Sequence, residues 1–222
     1  TEIGDFAFTA CSSIDQASFP STLNRVGEYA FYGILISEMP ACSPNAVFGK
    51  YAFSRTALTE VVIADGAVIA EGMFAQCPNL ETVVIGDNVT IGAYAFYTLK
   101  DENFTVGEYT LDGTKYFYYI FTSPLKNITI GEHAQIGESA FNGAASVETI
   151  QLGAGAEIGN MAFYNCSGLK QIDLSKAVTI GDYAFSGDTY YICRDENMSV
   201  AAVGLSGENY GKYIYSYHGH QL

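Results

Sequence analysis

Apolar and polar positions along this chain fall into two short phrases that recur at a fixed interval. The first, Leu80-Glu81-Thr82-Val83-Val84-Ile85, has its apolar residues in the pattern L-x-x-I-x-I and returns at 58–63, 125–130, 147–152 and 169–174. Its second and third apolar positions alternate with period two, as in a half-buried strand. The second phrase is clearest as Ile180-Gly181-Asp182-Tyr183-Ala184-Phe185, with earlier copies starting at Ile3, Val26, Phe48, Ile69, Ile91, Ile136 and Ile158. Successive copies are 23, 22, 21, 22, 45, 22 and 22 residues apart. A period of this size marks a solenoid, in which each turn buries its apolar face against the next. The strand phrases are expected to pair in parallel and in register, except at 35–47, where the strand pattern is lost.

Joined, the phrases read L-x-x-I-x-L…I-G-x-x-A-F-x-x-C, which resembles the BspA-like leucine-rich repeats of surface and secreted proteins of bacteria and some protists. The resemblance runs from Ile3 to about Phe185. It implies a mainly β, right-handed leucine-rich-repeat solenoid with a parallel concave sheet and little helix. It also implies an exported protein, extracellular or on the cell surface. The whole chain, 1–222, reads as a single solenoid domain.

Three columns run through the second phrase. Its glycine is expected at a bend that needs positive φ or close backbone approach, and Ala70 replaces it once. The next residue is acidic at Asp5, Glu28, Glu71, Glu138 and Asp182, suited to free N–H groups at the start of a short helical turn. A calcium column is the sharper reading, but Lys50, Ala93 and Asn160 interrupt it. The phrase ends in phenylalanine, and neighbouring turns about 4.8 Å apart would stack these rings as a buried spine. Cys11, Cys77 and Cys166 each follow a repeat phenylalanine by three residues and read as small buried thiols. A bridge from Cys166 to Cys193 is left open.

The strand face turned away from the core carries two columns: Glu60, Thr82, Asn127, Thr149, Gln171, and Val62, Val84, Thr129, Gln151, Asp173. At the strand entrance Glu81, Lys126, Glu148 and Lys170 alternate in sign, which sets turn against turn independently of the apolar pattern.

Two stretches, about 98–123 and about 189–222, do not repeat. The first places Asp112-Gly113 between two aromatic and β-branched runs, a strong hairpin signal. The second repeats it in outline: 101–106 matches 195–200, and Lys115-Tyr116-Phe117-Tyr118 matches Lys212-Tyr213-Ile214-Tyr215. Both are expected to be β-hairpins, the second an insertion or a cap. Since both follow a repeat phenylalanine, Phe96 and Phe185, they are expected to leave the same side about three turns, or roughly 14 Å, apart. Tyr116, Tyr118, Tyr213 and Tyr215 would then either flank a shared groove or press against the solenoid flank and cover its apolar surface.

Charge narrows the possible partners. With 24 acidic against 10 basic residues the formal charge is −14, which opposes nucleic acid and anionic membrane surfaces. No apolar run is long enough to span a bilayer. The three histidines lack a partner at motif spacing, and no catalytic, metal-binding or cofactor-binding motif occurs. The expected function is a non-catalytic binding or adhesion module that engages a protein or glycan. Its candidate contacts are Tyr116, Tyr118, Tyr213 and Tyr215 and the concave residues Thr82, Asn127, Thr149 and Gln171. The alternative is a structural spacer or stalk without a ligand.

Overall fold

The computed structural model describes residues 1–40, 46–98, 104–111, 114–121, 123–185, 190–193, 199–203, 216–217 and 220–221. Within 104–121, beyond 189 and at Gln171 the description is of the backbone path. The strands, in chain order, are β1 Glu2–Ile3, β2 Arg25–Val26, β3 Val47–Phe48, β4 Glu60–Ile63, β5 Val68–Ile69, β6 Thr82–Ile85 and β7 Thr90–Ile91. They continue as β8 Phe104–Leu111, β9 Thr114–Phe121, β10 Asn127–Ile130, β11 Gln135–Ile136, β12 Thr149–Leu152, β13 Ala156–Ile158, β14 Gln171–Asp173 and β15 Ala177–Ile180. Last come β16 Tyr190–Cys193, β17 Ser199–Val203, β18 Ser216–Tyr217 and β19 His220–Gln221. Among the described residues the helical structure is confined to a 3₁₀ turn, Leu174–Lys176.

The chain winds into a β-solenoid. The L-x-x-I-x-I phrases form the concave sheet, β4-β6-β10-β12-β14, all parallel and in the register of the repeat: Glu60 pairs with Thr82, Thr82 with Asn127, and Thr149 with Gln171. The residues just before each repeat glycine form a second parallel ladder in two pieces, β1-β2-β3 and β5-β7-β11-β13-β15. In the stretch 35–40 no strand forms, and residues 41–45 lie outside the described ones. Among the described residues β4 has no strand beyond it in the concave sheet, and β3 does not pair with β5.

Between the ladders runs the phenylalanine spine. Phe8, Phe31, Phe53, Phe74, Phe96, Phe141, Phe163 and Phe185 stack face to face. Centroids are 5.0–5.3 Å apart, except for 6.1 Å between Phe53 and Phe74. All but Phe8 are buried. The turns around the rings form a further hydrogen-bonded ladder: Tyr51, Phe53 and Arg55 donate their N–H groups to the carbonyls of Glu71, Met73 and Ala75 in the next turn.

The repeat glycine owes its place to close approach. At Gly49, Gly92, Gly137 and Gly181 an added Cβ would lie 2.5–2.7 Å from backbone atoms of the preceding turn, whereas at Gly4, with no turn beneath it, nothing lies within 4 Å. Positive φ falls two residues later, on Phe6, Tyr29, Tyr51, Gly72, Tyr94, Ser139, Met161 and Tyr183, at values of 51–60°. The turn with Ala70 in the glycine position therefore has its glycine at the left-handed one.

The acidic column also works differently from the expectation. The Asp5 carboxylate accepts the backbone N–H of Glu28 in the next turn at 3.0 Å, and the Asn160 side chain does the same for Asp182 at 2.9 Å. Asp65 and Asp87, at the bend after the concave strand, cap the N–H groups of Asp87 and Glu132 in the same way. These side chains bridge turns; they do not cap a helix. Of the cysteine column, Cys77 and Cys166 are buried and donate to the carbonyls of Phe53 and Phe141 in the turn beneath. Burial pushes the Cys77 thiol up to about 11 and the Cys166 thiol up to about 12. Cys11 departs from the expectation and is exposed.

Strands β8 and β9 pair antiparallel, with Tyr109 opposite Tyr116; Asp112-Gly113, between them, lie outside the described residues. The C-terminal stretch differs from the pairing its likeness to this hairpin suggests. β16 pairs with β17, and β17 then adds antiparallel to β14, Ile172 opposite Val200. An open strand edge presents unpaired N–H and C=O groups, and β17 satisfies those of β14.

Candidate functional site

The concave sheet is the surface that the repeat builds most regularly. Alternation sends Val61, Val83, Ile128, Ile150 and Ile172 into the core, all buried. It sends Glu60, Thr82, Asn127 and Thr149 outward, where Thr82 is half-buried and the others are exposed. The neighbouring column, Val62, Val84, Thr129, Gln151, Asp173, faces the same way, with Val62 64% exposed. At the strand entrance the alternating charges meet as expected: Lys126 lies 2.8 Å from Glu81 and Lys170 lies 2.6 Å from Glu148. Both pairs are exposed, so they specify neighbours more than they stabilise. The face is therefore polar and largely neutral, with its charge confined to the strand entrance and the two ends of the columns.

The structure brings Thr82, Asn127 and Thr149 into one register column, with the backbone of Gln171 next in line. Tyr116 and Tyr118 sit on alternate positions of β9, two apart and so on one side of the strand. Their side chains, like Tyr213 and Tyr215 entirely, lie outside the described residues. The expected tyrosine groove thus falls outside the described part of the molecule.

A different group of tyrosines is fully described. The left-handed position carries Phe6, Tyr29 and Tyr51, which stack at 5.2 and 5.0 Å, then Gly72, then Tyr94. The position after each spine ring carries Tyr32, Ser54, Ala75 and Tyr97 in the same turns. Both columns therefore lose their aromatic side chain in neighbouring turns, and a trough of about 430 Å³ opens there. Tyr29, Tyr32 and Tyr51 form one wall; Tyr94 and Tyr97, in edge contact at 5.9 Å, form the other; Ser54, Ala75 and Gln76 complete the lining. The signal was present in the sequence, since aligning the repeats sets Gly72 and Ala75 beneath tyrosines of the adjoining turns.

Ladder, spine and period define a leucine-rich-repeat solenoid. The chain belongs to the BspA-type leucine-rich-repeat family: the sequence model described as "BspA type Leucine rich repeat region" matches residues 1–103 and 110–193 in six copies. Proteins of this family are commonly surface proteins. No curated protein matches the chain. Among solved structures it is similar to a leucine-rich repeat protein from Bacteroides ovatus, 19% identical, over 83% of this chain and 67% of that one, with a TM-score of 0.31. Among the described residues no helix is long and apolar enough to cross a membrane, and no His, Cys, Asp or Glu cluster of metal-binding geometry occurs.

Proposed function

We propose that this chain is a non-catalytic binding module of an exported or cell-surface protein, engaging a protein or glycan partner. The supporting observation is the concave face: Thr82, Asn127 and Thr149 stand in strict register on adjacent strands, all uncharged, with Thr82 half-buried and the other two exposed. Such a face carries hydrogen-bonding groups without the desolvation penalty of buried charge, and stacked repeats offer extended concave surfaces for recognition. Family membership supports the surface location.

The test is an array of extracellular-matrix proteins, bacterial surface proteins and glycans, probed with the full chain and with an Asn127→Arg/Thr149→Arg variant. The expected result is a partner whose affinity falls about tenfold or more in the variant, with an unchanged melting temperature. Absence of any partner would leave a second reading. The continuous ring stack and in-register ladders also suit a spacer or stalk, which predicts resistance to pulling along the solenoid and no ligand.

A further inference from the structure

The tyrosine trough lies on the turns that follow the second ladder, away from the concave columns. Its origin lies in the stack itself. Tyr29 and Tyr51 lie nearly parallel, 14° apart, in a column that should continue one ring per turn. At Gly72 the next ring is missing, and a Cβ there would fall on the Tyr51 ring, so Tyr51 lies over the glycine. Tyr94 resumes the column one turn further on. Two turn heights, about 10 Å, separate the turns of Tyr51 and Tyr94. The trough volume of about 430 Å³ lies within the roughly 300–1,000 Å³ of small-molecule sites.

Polar groups edge this gap. Arg55 donates from Nε to Gln76 at 2.7 Å, and its guanidinium sits 5.6 Å from the Tyr32 ring centre. Held on both sides, its remaining N–H groups keep a fixed direction. The Tyr51 hydroxyl points toward the Glu71 carboxylate at 3.5 Å, and Lys50 neutralises Glu71 at 2.7 Å. Partial burial, with Glu71 nearby, pushes the Tyr51 hydroxyl up, so it stays protonated, and it offers its oxygen lone pairs as acceptors.

We propose that the trough is a carbohydrate site taking one neutral pyranose ring of an oligosaccharide between the Tyr51 and Tyr94 walls. The ring lies in the trough between Tyr51, which leans over Gly72, and Tyr94. Its C–H bonds, slightly positive, meet the negative faces of the tyrosines, and its hydroxyls meet Arg55, Gln76 and the Tyr51 hydroxyl. Acidic glycans are disfavoured by the net charge of −14 and by the neutralisation of Lys50 by Glu71. A proline-rich peptide, the other usual guest of tyrosine-lined grooves, fits poorly. About 10 Å holds only about three residues of a polyproline helix, fewer than a P-x-x-P motif needs. The site rests on the reading of the chain as a binding module, but on a separate surface.

The chain has no tryptophan, so Tyr94→Trp places a single fluorescent reporter on the wall. The experiment titrates this variant, and the unmodified chain by calorimetry, with neutral gluco-, galacto-, manno- and N-acetylglucosamine oligosaccharides. At least one is expected to bind, to shift the reporter emission, and to lose affinity about tenfold or more in Tyr51→Ala and in Arg55→Ala. The exposed Arg55 guards against a variant that merely unfolds, and circular dichroism checks both. Asn127→Arg/Thr149→Arg is expected to leave this binding unchanged, so failure here and failure of the concave face are distinguishable. The proposal is overturned by no binding at millimolar oligosaccharide, by binding indifferent to Tyr51→Ala and Arg55→Ala, or by a trough that takes only acidic glycans or proline-rich peptide.

Discussion

The first three turns and the later ones hold together in different ways. From Leu58 onward each turn contributes a concave strand, and five such strands pair without interruption from β4 to β14. Before Leu58 the described residues hold only the two-residue strands β1, β2 and β3. Irregular segments cover the core instead: Leu23, Ile34 and Ile36 are buried, and Phe19 leans on Phe31 at 5.0 Å. Where the regions meet, both ladders of strands stop, and Val47, Val62 and Val68 are left 64–70% exposed. The spine and the turn-to-turn hydrogen bonds nevertheless cross the junction, stretched only to the 6.1 Å step from Phe53 to Phe74. The rings and turns alone can therefore carry the stack past a missing sheet. The strands add a recognition face and register.

The sharpest way to break this comparison is through the rings. Phe163 is fully buried between two rings at 5.3 Å, and Phe163→Ala should lose roughly 3–5 kcal/mol in chemical denaturation. Phe8 has one stacked neighbour and is 38% exposed, so Phe8→Ala should lose far less. Equal losses would show that the first turns depend on the spine as much as the others. Backbone approach gives a second contrast. Gly137→Ala drives a Cβ to 2.5 Å from the Ile91 carbonyl oxygen and should cost about 1–3 kcal/mol. Gly4→Ala meets nothing and should leave the melting temperature in place.

Alkaline pH should separate the regions again. The Cys77 and Cys166 thiols stay neutral in the fold up to about 11 and about 12, whereas in the unfolded chain they ionise from about pH 9. Their contribution is complete below pH 9 and declines above it, by up to about 1.4 kcal/mol per pH unit for each thiol. Urea midpoints of Cys77→Ala/Cys166→Ala should fall less steeply above about pH 9 than those of the unmodified chain. The smallest effect lies on the concave face. Lys126→Glu replaces an exposed ion pair with Glu81 by a repulsion. It should cost about 0.2–1 kcal/mol and fade in high salt; a loss indifferent to salt would mean that packing is responsible.

The parts legible in the sequence were those that repeat. Ile-Gly-x-x-Ala-Phe fixes the spine because only one position per turn can hold a ring over its predecessor. Lys126 and Lys170 were correctly opposed to Glu81 and Glu148 across an insertion, since sign alternation and apolar register agree. What the pattern left open or misassigned were positions where two physical demands share one phrase. Glycine answers crowding at Gly137 while Ser139, two residues on, takes the left-handed conformation. The Asp5 carboxylate reaches upward to the N–H of Glu28 because the next turn's donor lies closer than any helix end. The trough is not legible in the same way because it is made of absences, Gly72 and Ala75, which carry no functional group to mark the place. The C-terminal pairing of β17 with β14 was hidden by likeness to the earlier hairpin, which says nothing of a nearby unsatisfied strand edge.

The 45-residue step has a consequence in time. Phe96 and Phe141 stack at 5.0 Å, as closely as any pair in the spine, and Gln135 pairs with Thr90 across the same seam. Yet these partners lie 45 residues apart along the chain, where other neighbours are separated by 21–23. Closing a loop twice as long costs about 0.6 kcal/mol more in chain entropy, enough to slow that contact roughly threefold. Stacked repeats nucleate wherever contacts are local and then propagate. The growing solenoid should thus advance quickly on either side of the β8-β9 hairpin and pause at the seam, which makes one of the tightest contacts in the finished molecule among the last to form.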